Sequence, residues 1–143
     1  MVILGIADVP IYFVNTLNDF GALLIARGGD VLSAAGPVQR DAMVMQYLNL
    51  HHYGVVINTL FWGLWLLPFG ILVYKSGFLP RFLGVWLILN GFAYLVQNFA
   101  GVVLPQYADI VGTFTFPFQL GEIATVLWLI VMGAKESVRG SFV

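Results

Sequence analysis

The sequence predicts an all-α fold: a polytopic transmembrane helical bundle of about four spanning helices. Three observations lead there. Of 143 residues, 60% are hydrophobic and only 9% are charged, whereas a soluble domain carries about 25%. Six Lys+Arg and seven Asp+Glu cannot coat a globule of this size, so the outer surface faces lipid. The second observation is that residues 42–74 and 82–104 contain no Asp, Glu, Lys or Arg, so those helices lack the charged face a soluble helix turns to water. The third is length. A crossing needs roughly 20 apolar residues, and four crossings fill the chain. The expected organisation is a single transmembrane domain over 1–143, with spans near 3–26, 45–74, 82–104 and 113–134.

The first span is the most polar, with Asp8, Asn15, Asn18 and Asp19 inside it. Pro10 either kinks this span by removing a backbone hydrogen bond or stands at its first helical position, leaving Asp8 in the interface. The second reading is preferred. Arg27 to Asp41, with Gly28-Gly29-Asp30 and Gly36-Pro37, reads as an aqueous loop holding a short helical turn. Met43 to Tyr53 is interfacial in character, and Val55 to Tyr74 is a clear span that Pro68 should bend. Lys75 to Arg81 reads as a tight turn. In it, Gly77 takes the left-handed conformation that ends a helix and Pro80 opens the next. Phe82 to Leu104 forms the third span, Pro105 to Asp109 a polar break, and Thr113 to Ala134 the fourth span, with Glu122 its one charged residue.

Charge sets orientation and excludes some partners. Lys75, Arg81, Lys135 and Arg139 fall on one side, Arg27 and Arg40 on the other. The richer side is expected to be cytoplasmic, which puts both termini inside and the chain in the cell (inner) membrane. The start, Met1 to Ile6, lacks the basic leader of a cleavable signal. A net charge of -1 argues against a nucleic-acid partner. With no cysteine, thiolate, disulfide and iron–sulfur chemistry are excluded.

Polar side chains inside the spans are the candidates for function, because exposing them to lipid costs several kcal/mol. At about 100° per residue, Asp8, Tyr12, Asn15 and Asp19 share one stripe of the first helix, and Asn90, Tyr94, Gln97 and Gly101 share one of the third. Thr115, Gln119 and Glu122 align on the fourth. Tyr47, His51 and Asn58 align with Trp62 and Trp65 on the second. Counting about 1.5 Å per residue from the flanking charges brings Asp19, Asn58, Gln97, Asn98 and Glu122 to one depth. This layer is the expected ligand or ion site, with His51, His52, Asn90 and Gln119 as secondary candidates. A carboxyl at the depth of Glu122 must be protonated or paired, and no Lys or Arg lies at its level, which suits proton or cation handling. The plain alternative is interhelical glue, at about 0.6 kcal/mol per hydrogen bond. His51 and His52 are adjacent and point about 100° apart, so they do not readily share an ion. No metal site and no cofactor is expected. The chain contains no Gly-rich phosphate loop, Ser-His-Asp arrangement or H-E-x-x-H motif.

The series His52-Tyr53-Gly54, Tyr74-Lys75-Ser76-Gly77-Phe78-Leu79-Pro80-Arg81-Phe82-Leu83-Gly84, Gly91-Phe92-Ala93-Tyr94-Leu95, Leu104-Pro105, Gly121-Glu122 and Leu127-Trp128-Leu129 resembles an uncharacterised family of bacterial multi-pass membrane proteins, the domain of unknown function numbered 4386. The resemblance covers about residues 50–133, with a weaker match in the first span. Members of that family carry further hydrophobic helices ahead of the region matching Met1. The resemblance therefore implies a chain short at its N-terminal side, whether as a fragment, a truncated product or a shorter variant. It implies no activity. The expected function is a small transporter-like or ligand-binding membrane subunit. The alternatives are a structural or assembly module and, third, a membrane-embedded enzyme, for which no complete catalytic set is visible. Beyond the lipid bilayer, the partners expected are a second copy in a homo-oligomer or a partner membrane chain, covering polar groups of the first span.

Overall fold

The computed structural model describes residues 2–28 and 36–133, and four helices account for nearly all of them: α1 (Val2–Arg27), α2 (Pro37–Ser76), α3 (Arg81–Val103) and α4 (Ala108–Met132). A 3₁₀ turn, Pro105–Tyr107, joins the last two. All four helices are long and apolar enough to cross a bilayer. Large apolar side chains such as Phe13, Phe114 and Ile130 project outward along them. A polytopic transmembrane helical bundle follows, since such side chains have lipid as their natural solvent.

Pro10 does not open α1; it lies inside the helix, as Pro68 does in α2 and Pro117 in α4. The preferred reading of Pro10 is therefore corrected, and Asp8 belongs to the span. Intramembrane helices accept proline because lipid offers the chain no better conformation, and neighbouring helices can satisfy the freed carbonyl. The loop expected up to Asp41 ends sooner, because α2 starts at Pro37, where the missing N–H costs nothing. Asp30 and Lys135 to Val143 lie outside the described residues. Gly77 closes α2 with φ 65°, in the left-handed region expected of it.

The helices pack in sequence order. The α2–α3 contact is the most extensive, followed by α1–α2 and α3–α4, and the remaining pairs barely meet at the backbone. Glycine explains the first of these. An added Cβ at Gly84 would stand 2.7 Å from the Tyr74 backbone nitrogen, and one at Gly70 would stand 2.9 Å from the Gly84 carbonyl oxygen. Gly63 and Gly91 face each other in the same way one heptad further along. Helices that lack side chains on a shared face gain dispersion contact along their whole length. Around this seam lies the apolar core of Leu66, Val73, Leu79 and Leu87, flanked by Trp65, Phe69, Tyr94 and Trp128.

Cross-helix contacts fix the register. Gly21 faces Tyr47, and Asp8 bonds Trp62, so α1 runs antiparallel to α2. Asn98 bonds the Val56 carbonyl. The end of α3 therefore comes level with the region of His51, and α2 continues beyond it for about 20 Å. At 40 residues, α2 is about 60 Å long, twice the hydrocarbon thickness of about 30 Å. The stretch with interfacial character and the clear span are thus one helix, and its projecting third packs against α1.

Candidate functional site

The α1 stripe faces α2. Asp19 Oδ2 lies 3.0 Å from His51 Nδ1, a geometry that needs the hydrogen on Nδ1. The Asn15 amide then donates to the His51 carbonyl at 3.1 Å, and Asn18 donates to Asn15 Oδ1 at 3.2 Å. Half a span away, Trp62 Nε1 donates to Asp8 Oδ2 at 3.0 Å. Asp8, Asn15, Asn18 and Asp19 each meet a partner within the chain, while Asp8 Oδ1 is buried without one among the described residues.

The other polar contacts between helices involve α3. Asn90 Nδ2 donates to Glu122 Oε1 at 2.7 Å. Its neighbour one turn on, Tyr94, lies near both Glu122 and Asn90. Gln97 Nε2 donates to Thr115 Oγ1, and the Thr115 hydroxyl passes its hydrogen to the Val111 carbonyl at 2.7 Å. Asn98 donates to Val56 O at 2.8 Å, across α2–α3.

These contacts separate the five layer residues in depth. Glu122 is level with Asn90, and Gln97 lies seven positions along α3, about 10 Å away. Asp19 is level with His51, seven positions before Asn58 and again about 10 Å off. The spacing forms a ladder of three rungs: Asp19–His51; Asn58 with Gln97 and Asn98; Glu122–Asn90. Counting inward from charges places groups by distance from a loop, and the unequal helix overhangs displace that origin. Of the secondary candidates, Asn90 joins Glu122 and His51 joins Asp19. His52 stacks edge-on against Tyr53, with ring centroids 5.6 Å apart. Gln119 is half-buried one turn before Glu122. Asn58 is 1% exposed and neither end of its amide has a partner among the described residues. Among those residues, no group of three or more His, Cys, Asp or Glu is arranged to hold a metal.

One level draws on all four helices. Asp8 of α1 accepts from Trp62 of α2; Trp62 meets the Tyr94 ring of α3 edge-on at 5.5 Å; Tyr94 lies near Glu122 of α4. Asp8, Trp62 and Tyr94 each lie on a stripe that helical periodicity defines, but only the register between helices joins them into one level. Next to this level, Glu122 borders a cleft of about 190 Å³ with Trp65, Phe69, Leu87, Thr125 and Leu129. Trp65 and Phe69 stack with centroids 5.3 Å apart. An acceptor carboxyl beside aromatic faces, with no Lys or Arg between residues 82 and 134, is chemically suited to a cation.

Comparison with known proteins adds membership and no chemistry. The family model described as "Domain of unknown function (DUF4386)" matches residues 1–133, which takes in α1 as well as the region whose motifs carry the resemblance. An uncharacterised protein of Archaeoglobus fulgidus is 35% identical over 84 residues, a stretch covering 57% of this chain and 47% of that protein. The match thus spans about half of that relative's length. No solved structure matches.

Proposed function

Because this chain belongs to the DUF4386 family, a domain of unknown function, we propose its role from the site itself: a transporter-like or ligand-binding membrane protein that takes a small cation at Glu122. The carrying observation is that Glu122, hydrogen-bonded by Asn90, borders a cleft lined mostly by apolar and aromatic side chains. The ligand class is an ammonium head of modest size with an apolar body. The head meets Glu122, while the body lies on Trp65 and Phe69. The test uses phenethylammonium as probe, with the protein in lipid nanodiscs and binding read by calorimetry. Glu122→Gln keeps the shape and is expected to weaken binding at least about tenfold, which is 1.4 kcal/mol. Phenylacetate, of the same shape and opposite charge, is expected not to bind. Equal affinity in wild type and variant overturns the proposal.

A second reading is favoured by one observation: the Asn90–Glu122 bond crosses α3–α4. In a structural or assembly module that bond is glue and nothing more. Glu122→Gln would then shift stability without touching any binding isotherm.

The same proposal sets the chain in the cell (inner) membrane with both termini cytoplasmic, since Lys75 and Arg81 flank the α2–α3 turn. An impermeant thiol reagent added to intact cells should modify Ala108→Cys and spare Ser76→Cys; the reverse pattern inverts the orientation. Assembly with a second copy or a partner chain is tested by crosslinking single cysteines along α1, where a monomer gives no product.

A further inference from the structure

A second cleft, of about 210 Å³, opens at the α3–α4 connection, and Thr59 of α2, Gln97 and Gly101 of α3, and Asp109 and Gly112 of α4 border it, with His52 at its rim. It differs in kind from the Glu122 cleft. Hydroxyl, amide, imidazole and carboxylate groups line it beside Val55, Val56 and Ala108. Gly112 contributes no side chain, and a Cβ added there would meet nothing within 4 Å. Asp109, in the first turn of α4, is the one Asp or Glu on its walls, and no Lys or Arg borders it.

The two clefts lie in series along the same three helices. On α4 the order is Gly112, Thr115, Glu122; on α3 it is Gly101, Gln97, Leu87. The Gln97–Thr115 hydrogen bond therefore falls between them. Taking the Glu122 reading above as its premise, we infer that the polar cleft is a water-filled, cation-favouring vestibule for that site, and that the Gln97–Thr115 bond is the constriction separating the two. The vestibule concentrates cations because one carboxylate stands at the mouth of a cleft whose low-dielectric walls focus field lines. The constriction is a side-chain pair between adjacent helices, with Tyr94 and Asn90 next along α3 toward Glu122. Parting it needs no backbone rearrangement.

The chain has no native cysteine, so one introduced thiol reports one position. In nanodiscs, where both faces are accessible, Gly112→Cys is labelled with the cationic trimethylammonium-ethyl methanethiosulfonate and with its anionic sulfonatoethyl counterpart. Phe114→Cys, on the outward face of the same helix and 74% exposed, is the control. Gly112→Cys is expected to react at least about tenfold faster than the control. Its cation-to-anion rate ratio is expected to fall about tenfold when Asp109→Asn is added. Labelling no faster than at Phe114→Cys overturns the vestibule, and a ratio unmoved by Asp109→Asn overturns its charge preference. Thr125→Cys, on the wall of the Glu122 cleft, should label slowly in the otherwise wild-type chain and about tenfold faster with Thr115→Ala. Fast labelling without Thr115→Ala, or none with it, overturns the constriction. None of these rates depends on Glu122 binding a cation. A vestibule that labels as expected beside a Glu122→Gln variant with unchanged phenethylammonium affinity would therefore retain the vestibule and discard the binding site.

Discussion

The α2–α3 seam and the α3–α4 seam both hold antiparallel helices together, and they do it with opposite materials. Along α2–α3, glycines at 63, 70, 84 and 91 let one backbone rest on the other. Along α3–α4, side chains keep the backbones apart and bridge the gap with Asn90–Glu122 and Gln97–Thr115. A backbone-on-backbone seam has no adjustable part, since neither partner can turn aside. A side-chain-bridged seam can open by rotamer changes, and both clefts of functional interest border it. Rigidity and adaptability are thus assigned to neighbouring faces of the same helix, α3.

Breaking the rigid seam should give the largest effect. Gly84→Ala drives a methyl toward the Tyr74 backbone, which cannot yield, and a loss of about 1–3 kcal/mol is expected in thermal or denaturant unfolding. Gly91→Ala presses first on the Leu67 side chain, a flexible neighbour, and should cost less. Equal losses at the two positions would mean that side-chain crowding, and not backbone contact, defines the seam.

The adaptable seam should respond more gently. A double-mutant cycle between Asn90→Ala and Glu122→Gln is expected to give a coupling of about 0.6 kcal/mol and at most about 1.7. A coupling above that range would make the α3–α4 bridge a structural keystone and weaken the cation-site proposal. The smallest effect is expected at Gly112→Ala. Its methyl enters open space, so stability should hold within about 0.5 kcal/mol. A larger loss would show that the wall of the polar cleft is tighter than its geometry implies.

The four-helix architecture was legible because lipid imposes a crude and strong rule, an uncharged stretch of sufficient length. The stripes were legible too, since angular position follows from helical periodicity alone; Asn90, Tyr94 and Gln97 do share a face, and Thr115 and Glu122 do turn toward it. Depth was not. Asp19 and Glu122 seemed level only when each was measured from its nearest charge. Neither the length of the α2 overhang nor the inclusion of Pro10 within α1 is written in local composition. The role of Asp8 was lost for the same reason. Its partner, Trp62, lies 54 positions away, and only the α1–α2 register brings the two together.

The pattern of polar pairings also carries a consequence for how the chain is made. Asp8 pairs with Trp62 and Asp19 with His51, both between α1 and α2; Asn98 reaches Val56 from α3 to α2; Gln97 meets Thr115, and Asn90 meets Glu122, between α3 and α4. Each of these bonds joins a helix to the one made immediately before or after it. As synthesis proceeds from the N-terminus, a polar group entering the bilayer waits for one further helix at most. The bundle can be closed like a zip, in the order in which the ribosome delivers it.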